Sequence, residues 1–293
     1  MFRSLPFDYA NKTGVGAQAI SVPDGAGTIE GMGESFSAQP STGIATFSIP
    51  IGMPKARGGV QPSLSLVYSS AGGNGVAGAG WDIGVPFIAR ETDRGLPRYD
   101  DRPAWHEGQD RFVFNGGQEL VPICDVPTNC AGKLLEDGNG NVEELPAWAS
   151  GWQYFRARVD GSHVRFFWNA ATQVWRVQDR AGTLMELGDV DADGNGIETH
   201  PDNAARVFRW NVKRQLDAYG NEVRYGYRKP ADSNIAYISD IYDTPPASGG
   251  AQALENWAHH TRLVYEPRPD QATSYRRGWM TVVTQRLSHI DVT

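Results

Sequence analysis

The residues best suited to chemistry in this chain form an acidic stretch that begins at Asp189. Oxygen-bearing side chains recur there at every second position, and Gly194 stands at the sixth position, as in a calcium loop of the EF-hand type. The twelfth position is His200, where such a loop has a bidentate glutamate, so a calcium shell needs further oxygens. The candidate calcium ligands are Asp189, Asp191, Asp193, Asn195 and Glu198. An exposed acidic turn between two strands is the alternative interpretation.

A glycine-rich stretch is the second candidate. Residues 73–78 have the G-x-G-x-x-G spacing of a dinucleotide-binding loop, and a strand-like run precedes them. Such a loop needs a helix directly after it, whose free N–H groups bind the phosphates. Residues 80–86 contain two glycines and a proline, which do not favour a helix. We therefore interpret residues 73–78 as a flexible turn.

The sequence patterns of hydrolytic catalysis are absent from the chain. It lacks G-x-S-x-G and H-E-x-x-H, and its six histidines are dispersed apart from His259 and His260, which as neighbours point away from each other. Acidic pairs such as Asp100 and Asp101 are more typical of solvated loops than of acid/base dyads. The sequence predicts that the protein is not an enzyme and that it has no cofactor other than Ca²⁺ in the acidic loop.

The two cysteines, Cys124 and Cys130, lie close together in a proline-containing loop. A disulfide between them would close a small ring and add only modest stability. We expect two reduced thiols, with a bridge as the alternative.

The elements that position these residues are predicted to be short strands. Thirty-four glycines and eighteen prolines are spread along 293 residues, and in a helix interior each Gly costs about 1 and each Pro about 3 kcal/mol. A hydrophobic content of 40% is sufficient for a core. We predict an all-β fold of antiparallel sheets and hairpins with little helix. Residues 1–30 form an extended arm and residues 31–293 one β domain in this prediction.

Hydrophobic alternation locates several of the strands. It predicts hairpins over residues 164–177 and 208–228, and strand-like runs at residues 44–51, 64–68 and 280–293. Residues 251–260 are the one segment that we predict to be helical. The large side chains expected in the core are Trp168, Trp210, Tyr225 and Tyr227.

Charge and hydropathy exclude two classes of partner. A formal net charge of −7 without a run of Lys or Arg repels the phosphate backbone, so nucleic acid is not an expected partner. The N-terminus lacks the basic start and apolar run of a Sec signal, and no window approaches the roughly 18 apolar residues of a membrane span.

Glycine- and aromatic-rich blocks occupy much of the chain from about residue 25 onwards. They are residues 31–36, 43–51, 61–70, 73–86, 90–99, 110–113, 117–122, 209–227, 265–270 and 274–278. Together these blocks resemble the N-terminal SpvB-like region of the B components of insecticidal toxin complexes. Residues 209–227 are also similar to the YD repeats of Rhs proteins. The acidic stretch at residues 189–198 has no counterpart in this resemblance.

The resemblance implies a structural function. In that family such a region contributes β-sheet to a hollow shell, built with a C component of the Rhs type, which encloses a cytotoxic polypeptide before translocation through an A component. The implied partners are therefore a C-type component or the rest of the same polypeptide, and an A-type component; the complex is secreted. The later regions of a B component are absent from these residues, which indicates a fragment, a cleavage product or a shortened homologue. A calcium-dependent surface-binding or adhesion module is the alternative function.

Overall fold

Strands and turns make up the part of the chain that the structure describes. This computed structural model describes the backbone of residues 35–39 and the complete residues 44–58, 60–62, 64–246 and 253–293. Within these ranges there are nineteen strands and two 3₁₀ helices, Ala147–Ala149 and Leu254–Asn256. The prediction of an all-β fold with little helix is confirmed. The predicted arm at residues 1–30 lies outside the described residues, and its boundary with the β domain stays a prediction.

The first six strands form a small antiparallel sheet. They are β1 (Ser35–Gln39), β2 (Ile44–Pro50), β3 (Ser65–Ser69), β4 (Asn74–Gly75), β5 (Gly78–Ala79) and β6 (Trp81–Gly84), in the spatial order β1-β2-β3-β6-β5-β4. The predicted runs at residues 44–51 and 64–68 are β2 and β3, which pair with each other. The glycine-rich residues 73–78 include β4 and begin β5, and a strand follows them where a phosphate loop requires a helix.

The next strands close into an eight-stranded barrel. The chain passes through β7 (Phe87–Arg90), β8 (Phe112–Phe114), β9 (Gln118–Asp125), β10 (Gln153–Ala157), β11 (Arg165–Asn169), β12 (Val174–Gln178), β13 (Leu184–Gly188), β14 (Ile197–His200) and β15 (Asn203–Leu216). Strands β7 to β13 pair in sequence, and β15 closes the ring because it pairs with both β7 and β13. Strand β14 pairs with β15 outside the ring.

Beyond the barrel, β15 continues the sheet in an antiparallel ladder. Its C-terminal part pairs with β16 (Glu222–Arg228), followed by β17 (Tyr237–Asp243), β18 (His259–Ser274) and β19 (Thr281–Val292). The turn at residues 217–221 joins β15 to β16 as predicted, with Asp217 N donating to Asn221 O at 3.1 Å and Gly220 at a φ of 82°. Strand β19 is the last strand of this ladder in the described part of the chain.

Aromatic side chains fill the barrel. Phe112 lies at the centre of the cluster, with its ring centroid 4.9 Å from that of Trp168, 5.0 Å from Trp175 and 5.7 Å from Trp210. The predicted burial of Trp168, Trp210, Tyr225 and Tyr227 is confirmed. Such rings remove a large apolar area from water, and their edge-to-face contacts add to that stabilisation.

A buried arginine attaches the loop after β7 to the barrel. The Arg90 side chain is inaccessible to solvent, and its guanidinium is 2.6 Å from Asp101 and 2.7 Å from Asp110. Its Nε also donates to Val207 O at 2.6 Å. A buried guanidinium needs all of these acceptors, because an unpaired charge in a low-dielectric interior is strongly destabilising. Residues 91–111 are therefore held against the barrel although they form no strand.

Two sequence predictions are wrong. The predicted helix at residues 251–260 does not form in its described part, residues 253–260: Leu254–Asn256 is a single 3₁₀ turn and His259 begins β18, because pairing with β17 overrides the weak local helical preference. Cys124 and Cys130 are not free thiols: they form a disulfide, and both lie in a second buried cluster with Tyr154 and Phe167. Among the described ranges, no helix is long and apolar enough to cross a lipid bilayer.

Candidate functional site

The acidic stretch from Asp189 to Glu198 is a turn held by two lysines. Lys213 Nζ is 3.0 Å from Asp191 Oδ2 and 3.0 Å from Asp193 Oδ2. Lys229 Nζ donates to Gly194 O at 2.5 Å. Lys213 thus places a positive charge between two of the carboxylates that were predicted to bind calcium.

The remaining predicted ligands point to other partners. Asp189 Oδ1 accepts from Gly194 N at 2.7 Å, and the Asn195 backbone N–H donates to Asp193 Oδ1 at 2.9 Å. Glu198 lies on β14, almost fully buried, 2.6 Å from Arg277 Nη1. In the described residues, no group of three or more His, Cys, Asp or Glu side chains is arranged to hold a metal ion. Calcium binding by the five residues stays a prediction.

The electrostatics of the turn follow from these contacts. Burial alone would raise the pKa of Asp193, but hydrogen bonds from the Asn195 backbone and from Lys213 outweigh it, so the pKa is below its ordinary value. Burial lowers the pKa of Lys229, and the nearby carboxylates of Glu198, Asp189 and Asp193 oppose that shift. The two lysines therefore neutralise part of the negative charge of the three aspartates in the turn.

A groove lies beside the small sheet in the described part of the chain. It has a volume of about 740 Å³, within the range of about 300–1,000 Å³ that is usual for small-molecule sites. We call it the aromatic groove, because four half-buried rings line it: Phe47, Tyr68, Trp81 and Phe87. The Arg209 guanidinium lies 3.7 Å from the centroid of the Phe87 ring.

Strand register brings three of these rings together. Phe47, Tyr68 and Trp81 are direct cross-strand partners on β2, β3 and β6. The Trp81 centroid is 5.3 Å from that of Tyr68 and 6.1 Å from that of Phe47. Gly80 makes this contact possible: it has a φ of 78°, and a Cβ there would lie 2.5 Å from the Tyr68 ring. Any other residue would be strained at this φ and would displace the tyrosine.

A small polar cavity of about 130 Å³ lies behind the aromatic groove. We call it the inner chamber. Asp82 and Arg209 line both spaces, so they mark the boundary between them. Arg209 Nε donates to Asn211 Oδ1 at 2.8 Å, whereas Asn211 Nδ2 and the Tyr227 hydroxyl, both buried, have no hydrogen-bond partner in the described part of the chain. Buried polar groups without partners are rare and usually indicate a bound water, ion or ligand.

Asp82 is the titratable group most affected by this environment. The Asp82 side chain is exposed, and it lies beside both cavities. Burial raises the pKa of Asp82, while the positive charge of Arg209 and the Ile83 backbone N–H, which donates at 2.8 Å, oppose the rise. The Glu198 carboxylate raises the pKa further. The chamber thus holds a carboxyl that binds its proton more tightly than an ordinary aspartate.

Sequence reasoning did not find this site. Its residues come from β2, β3, β6, β7, β15 and β16, which are up to 180 positions apart in the chain from Phe47 to Tyr227. The one available signal was the repetition of aromatic residues on neighbouring strands of an antiparallel pair. That signal predicts a cross-strand cluster, but it does not tell an exposed cluster from a buried one.

A family model and a curated relative match much of the chain. The family SpvB, described as Salmonella virulence plasmid 65kDa B protein, matches residues 39–265. A Salmonella typhimurium protein named mono(ADP-ribosyl)transferase SpvB is 27% identical over 212 residues. This match covers 69% of the chain and 33% of the relative, so the chain spans about a third of the length of the curated relatives that it matches.

Two solved structures share the fold. The crystal structure of TcdB2-TccC3 has a TM-score of 0.66 at 21% identity, over 93% of this chain and 14% of that chain. The N-terminal domain of the effector protein SpvB from Salmonella typhimurium strain LT2 has a TM-score of 0.62 at 20% identity, over 83% of this chain and 86% of that chain. The similarity to SpvB and to toxin-complex components that the sequence blocks indicated is confirmed.

The prediction that the protein is not an enzyme is wrong by this comparison. The curated relatives are named as mono(ADP-ribosyl)transferases. The prediction rested on a search of these 293 residues for catalytic patterns, whereas the activity in that name belongs to a protein of which the chain matches a third. Patterns within one segment therefore did not indicate the activity of the relatives.

Proposed function

The chain belongs to the SpvB family, and we propose that it is a structural module of a bacterial toxin complex that contributes β-sheet to a hollow Rhs-type shell. In this proposal the shell encloses a cytotoxic polypeptide and delivers it to a target cell. Its partners are a C-type component with YD repeats, or the remainder of the same polypeptide, and an A-type translocation component. The assembled complex is exported from the bacterium.

The observation that carries this proposal is the fold likeness to TcdB2-TccC3. It extends over 93% of this chain but only 14% of the larger one, so the same arrangement of strands is one part of a much longer chain. A module of that kind needs surfaces that join it to neighbours.

The ladder beyond the barrel has such a surface at β19. Thr293 and His260 exchange both backbone hydrogen bonds, at 3.0 and 2.9 Å. In an antiparallel pair the next residues alternate, so Val292 and Ile290 direct their N–H and C=O groups away from β18. Unpaired backbone groups along an edge bind an added strand, and Ile290 and Val292 therefore support docking of another β segment.

The disulfide supports export. Cys124 and Cys130 are joined, and disulfides persist mainly in proteins that function outside the reducing cytosol. Secretion of the complex gives this bond the oxidising surroundings in which it is stable.

Co-expression tests the proposed function. The polypeptide that contains these residues would be produced together with the C-type component of the same bacterium, with a protease-cleavable reporter at the C-terminus of that component. We expect the two chains to co-elute in size-exclusion chromatography and the reporter to resist added protease. The C-type component produced alone is the control, and its reporter should be cut. Separate elution with a fully cleaved reporter would contradict the shell function.

A further inference from the structure

We propose that the inner chamber binds a small monovalent anion, such as chloride, nitrate or formate. The proposal concerns the chamber alone, and it goes beyond the proposed shell function without depending on it. The chamber has a volume of about 130 Å³, and a cavity for one water needs at least about 10–15 Å³. A small anion with a few waters around it therefore fits, whereas a nucleotide or an oligosaccharide does not.

Strand register places the polar groups of the chamber on the outer face of the barrel wall. Trp210 points into the barrel, so Arg209 and Asn211, its neighbours on β15, point outwards. On β14, Glu198 is the cross-strand partner of Arg209, so it lies on the same face. Tyr227 comes from β16, and it lines the chamber together with Arg209, Asn211 and Glu198. The paired strands therefore hold these four side chains around one small space.

The unused hydrogen-bonding capacity of the chamber is donor capacity. Asn211 Oδ1 already accepts from Arg209 Nε at 2.8 Å, so the atom of this amide that has no partner in the described residues is Nδ2, a donor. The Tyr227 hydroxyl has no partner there either, and its O–H can donate. Asn211 is 1% exposed and Tyr227 is 8% exposed, so bulk water does not satisfy these groups. The group that both side chains lack is an acceptor.

The chamber also carries more positive than negative charge. Glu198 Oε2 is 2.6 Å from Arg277 Nη1, so this buried carboxylate and one guanidinium neutralise each other. Arg209, half-buried on the neighbouring strand, forms no ion pair within 4 Å in the described part of the chain. Asp82 also borders the chamber, but its side chain is exposed, so water screens its charge. The positive charge of Arg209 therefore remains for a bound anion.

A monovalent anion meets both requirements at once. It accepts from Asn211 Nδ2 and the Tyr227 hydroxyl, directly or through one of the waters around it, and it balances the charge of Arg209. Water alone accepts from the same donors but leaves that charge without a counterion. A divalent anion such as sulfate would exceed the charge of Arg209 beside the Glu198 carboxylate, and a cation would be repelled by the two guanidinium groups.

Thermal melting of the 293-residue chain in different sodium salts tests the proposal. Sodium chloride, nitrate and formate are compared with sodium gluconate, a carboxylate too large for the chamber, all at about 0.1 M so that the ionic strength is constant. With a Kd of roughly 10 mM, chloride should raise the melting temperature by roughly 2–3 °C over gluconate, because it binds only the folded chain. Equal melting temperatures in all four salts would overturn the proposal.

Bromide locates the ion. In crystals of the chain soaked in sodium bromide, we expect an anomalous difference peak inside the chamber, beside Asn211 Nδ2. Water in the chamber, with bromide peaks on the protein surface only, would overturn the proposal.

Variants separate the chamber from other anion-binding surfaces. Tyr227→Phe removes a hydroxyl that has no partner in the described residues, so it should melt in gluconate as the unsubstituted chain does. It should weaken chloride binding about tenfold, which leaves less than half of the shift in melting temperature. Arg209→Gln removes the unbalanced charge and should lose most of the shift; if this variant does not fold, Tyr227→Phe decides. Tyr219→Phe is the matched control, because Tyr219 is an exposed tyrosine at residues 217–221, and it should keep the full shift. The same chloride shift in all three variants would indicate an adventitious ion only and would overturn the proposal.

Discussion

Asp82 is the residue at which the environment of the groove has a measurable consequence. Its pKa is raised above the ordinary value, so the folded protein binds this proton more tightly than the unfolded chain does. The stabilisation that follows is fully present below the unfolded pKa of about 4 and is lost as the pH rises through the folded pKa. We therefore expect ionised Asp82 to lower the stability of the fold at neutral pH, by an amount that its solvent exposure reduces.

The variant Asp82→Asn should be more stable than the unsubstituted protein at pH 7. The amide keeps an oxygen that accepts from Ile83 N, and it removes the charge that burial disfavours. The gain in melting temperature should shrink as the pH approaches 4, where Asp82 is increasingly protonated. Asp100→Asn is a control of opposite sign, because a hydrogen bond from Arg102 lowers the pKa of the exposed Asp100. Thermal melting between pH 4 and 8 measures both, and an Asp82→Asn variant that melts lower at pH 7 would contradict this account.

Lys213 lies between two of the carboxylates that were predicted to bind calcium. Its ammonium is 3.0 Å from both Asp191 and Asp193, so a Ca²⁺ ion bound by those carboxylates must displace it. We predict that Lys213→Gln binds Ca²⁺ more tightly than the unsubstituted chain does, and that Lys133→Gln, an exposed control, does not. Calorimetry with CaCl₂ is the measurement. If neither protein gives heat, and Asp191→Ala has the same melting temperature in Ca²⁺ as the unsubstituted chain, the calcium hypothesis is excluded.

At the scale of elements, the loop closed by Cys124 and Cys130 is a stabilising unit. The bridge joins residues six positions apart, and both cysteines are buried beside Tyr154 and Phe167. Closing a ring of this size removes loop entropy from the unfolded chain worth about 2 kcal/mol. We expect the Cys124→Ser/Cys130→Ser variant, and the protein in reducing agent, to lose about that much free energy of unfolding. Reducing agent should not affect the double variant, and two free thiols in the denatured, unreduced protein would sink the prediction.

Local sequence patterns predicted individual strands and hairpins, but they did not predict that the strands close into a barrel. Alternation located the hairpin of β11 and β12 and that of β15 and β16, because adjacent strands pair through short turns. The barrel was not predictable in this way, since it closes when β15 pairs with β7 and β13, strands that are distant in the chain. The helix predicted at residues 251–260 failed for the same reason. Pairing of β18 with β17 is a tertiary contact, and local propensity does not contain it.

In the candidate site, too, local patterns were readable from the sequence and tertiary contacts were not. Tyr68 lies in a run that was predicted to be a strand, whereas no strand was predicted at Trp81. The exposure of both rings depends on where the small sheet meets the barrel. The predicted calcium ligands do not share one site. Glu198, which lies on β14, pairs with Arg277, whereas Asp191 and Asp193 pair with Lys213 of β15. A lysine on a neighbouring strand has no signal in the spacing of the acidic residues.

At the scale of the whole molecule, the open edge of β19 determines how the chain associates. Leu287 N donates to Val76 O of the small sheet at 2.7 Å, which covers that part of the edge. Towards the end of the strand, Ser288, His289, Asp291 and Val292 are exposed. In residues 280–293 the carboxylates and guanidinium groups that would oppose strand addition are those of Arg286 and Asp291.

We predict that the 293-residue chain self-associates through this edge in a concentration-dependent way. The variant Ile290→Pro removes an N–H that points away from β18, so it should reduce association while the β18 ladder and the melting temperature are largely preserved. Asp291→Pro is the matched control, because the Asp291 N–H points into the β18 ladder and its loss should lower the melting temperature instead. Light scattering and sedimentation across a concentration series measure association. A monodisperse monomer at all concentrations, or equal association of Ile290→Pro and the unsubstituted chain, would show that β19 is not an adhesive edge and would weaken the case for a shell module.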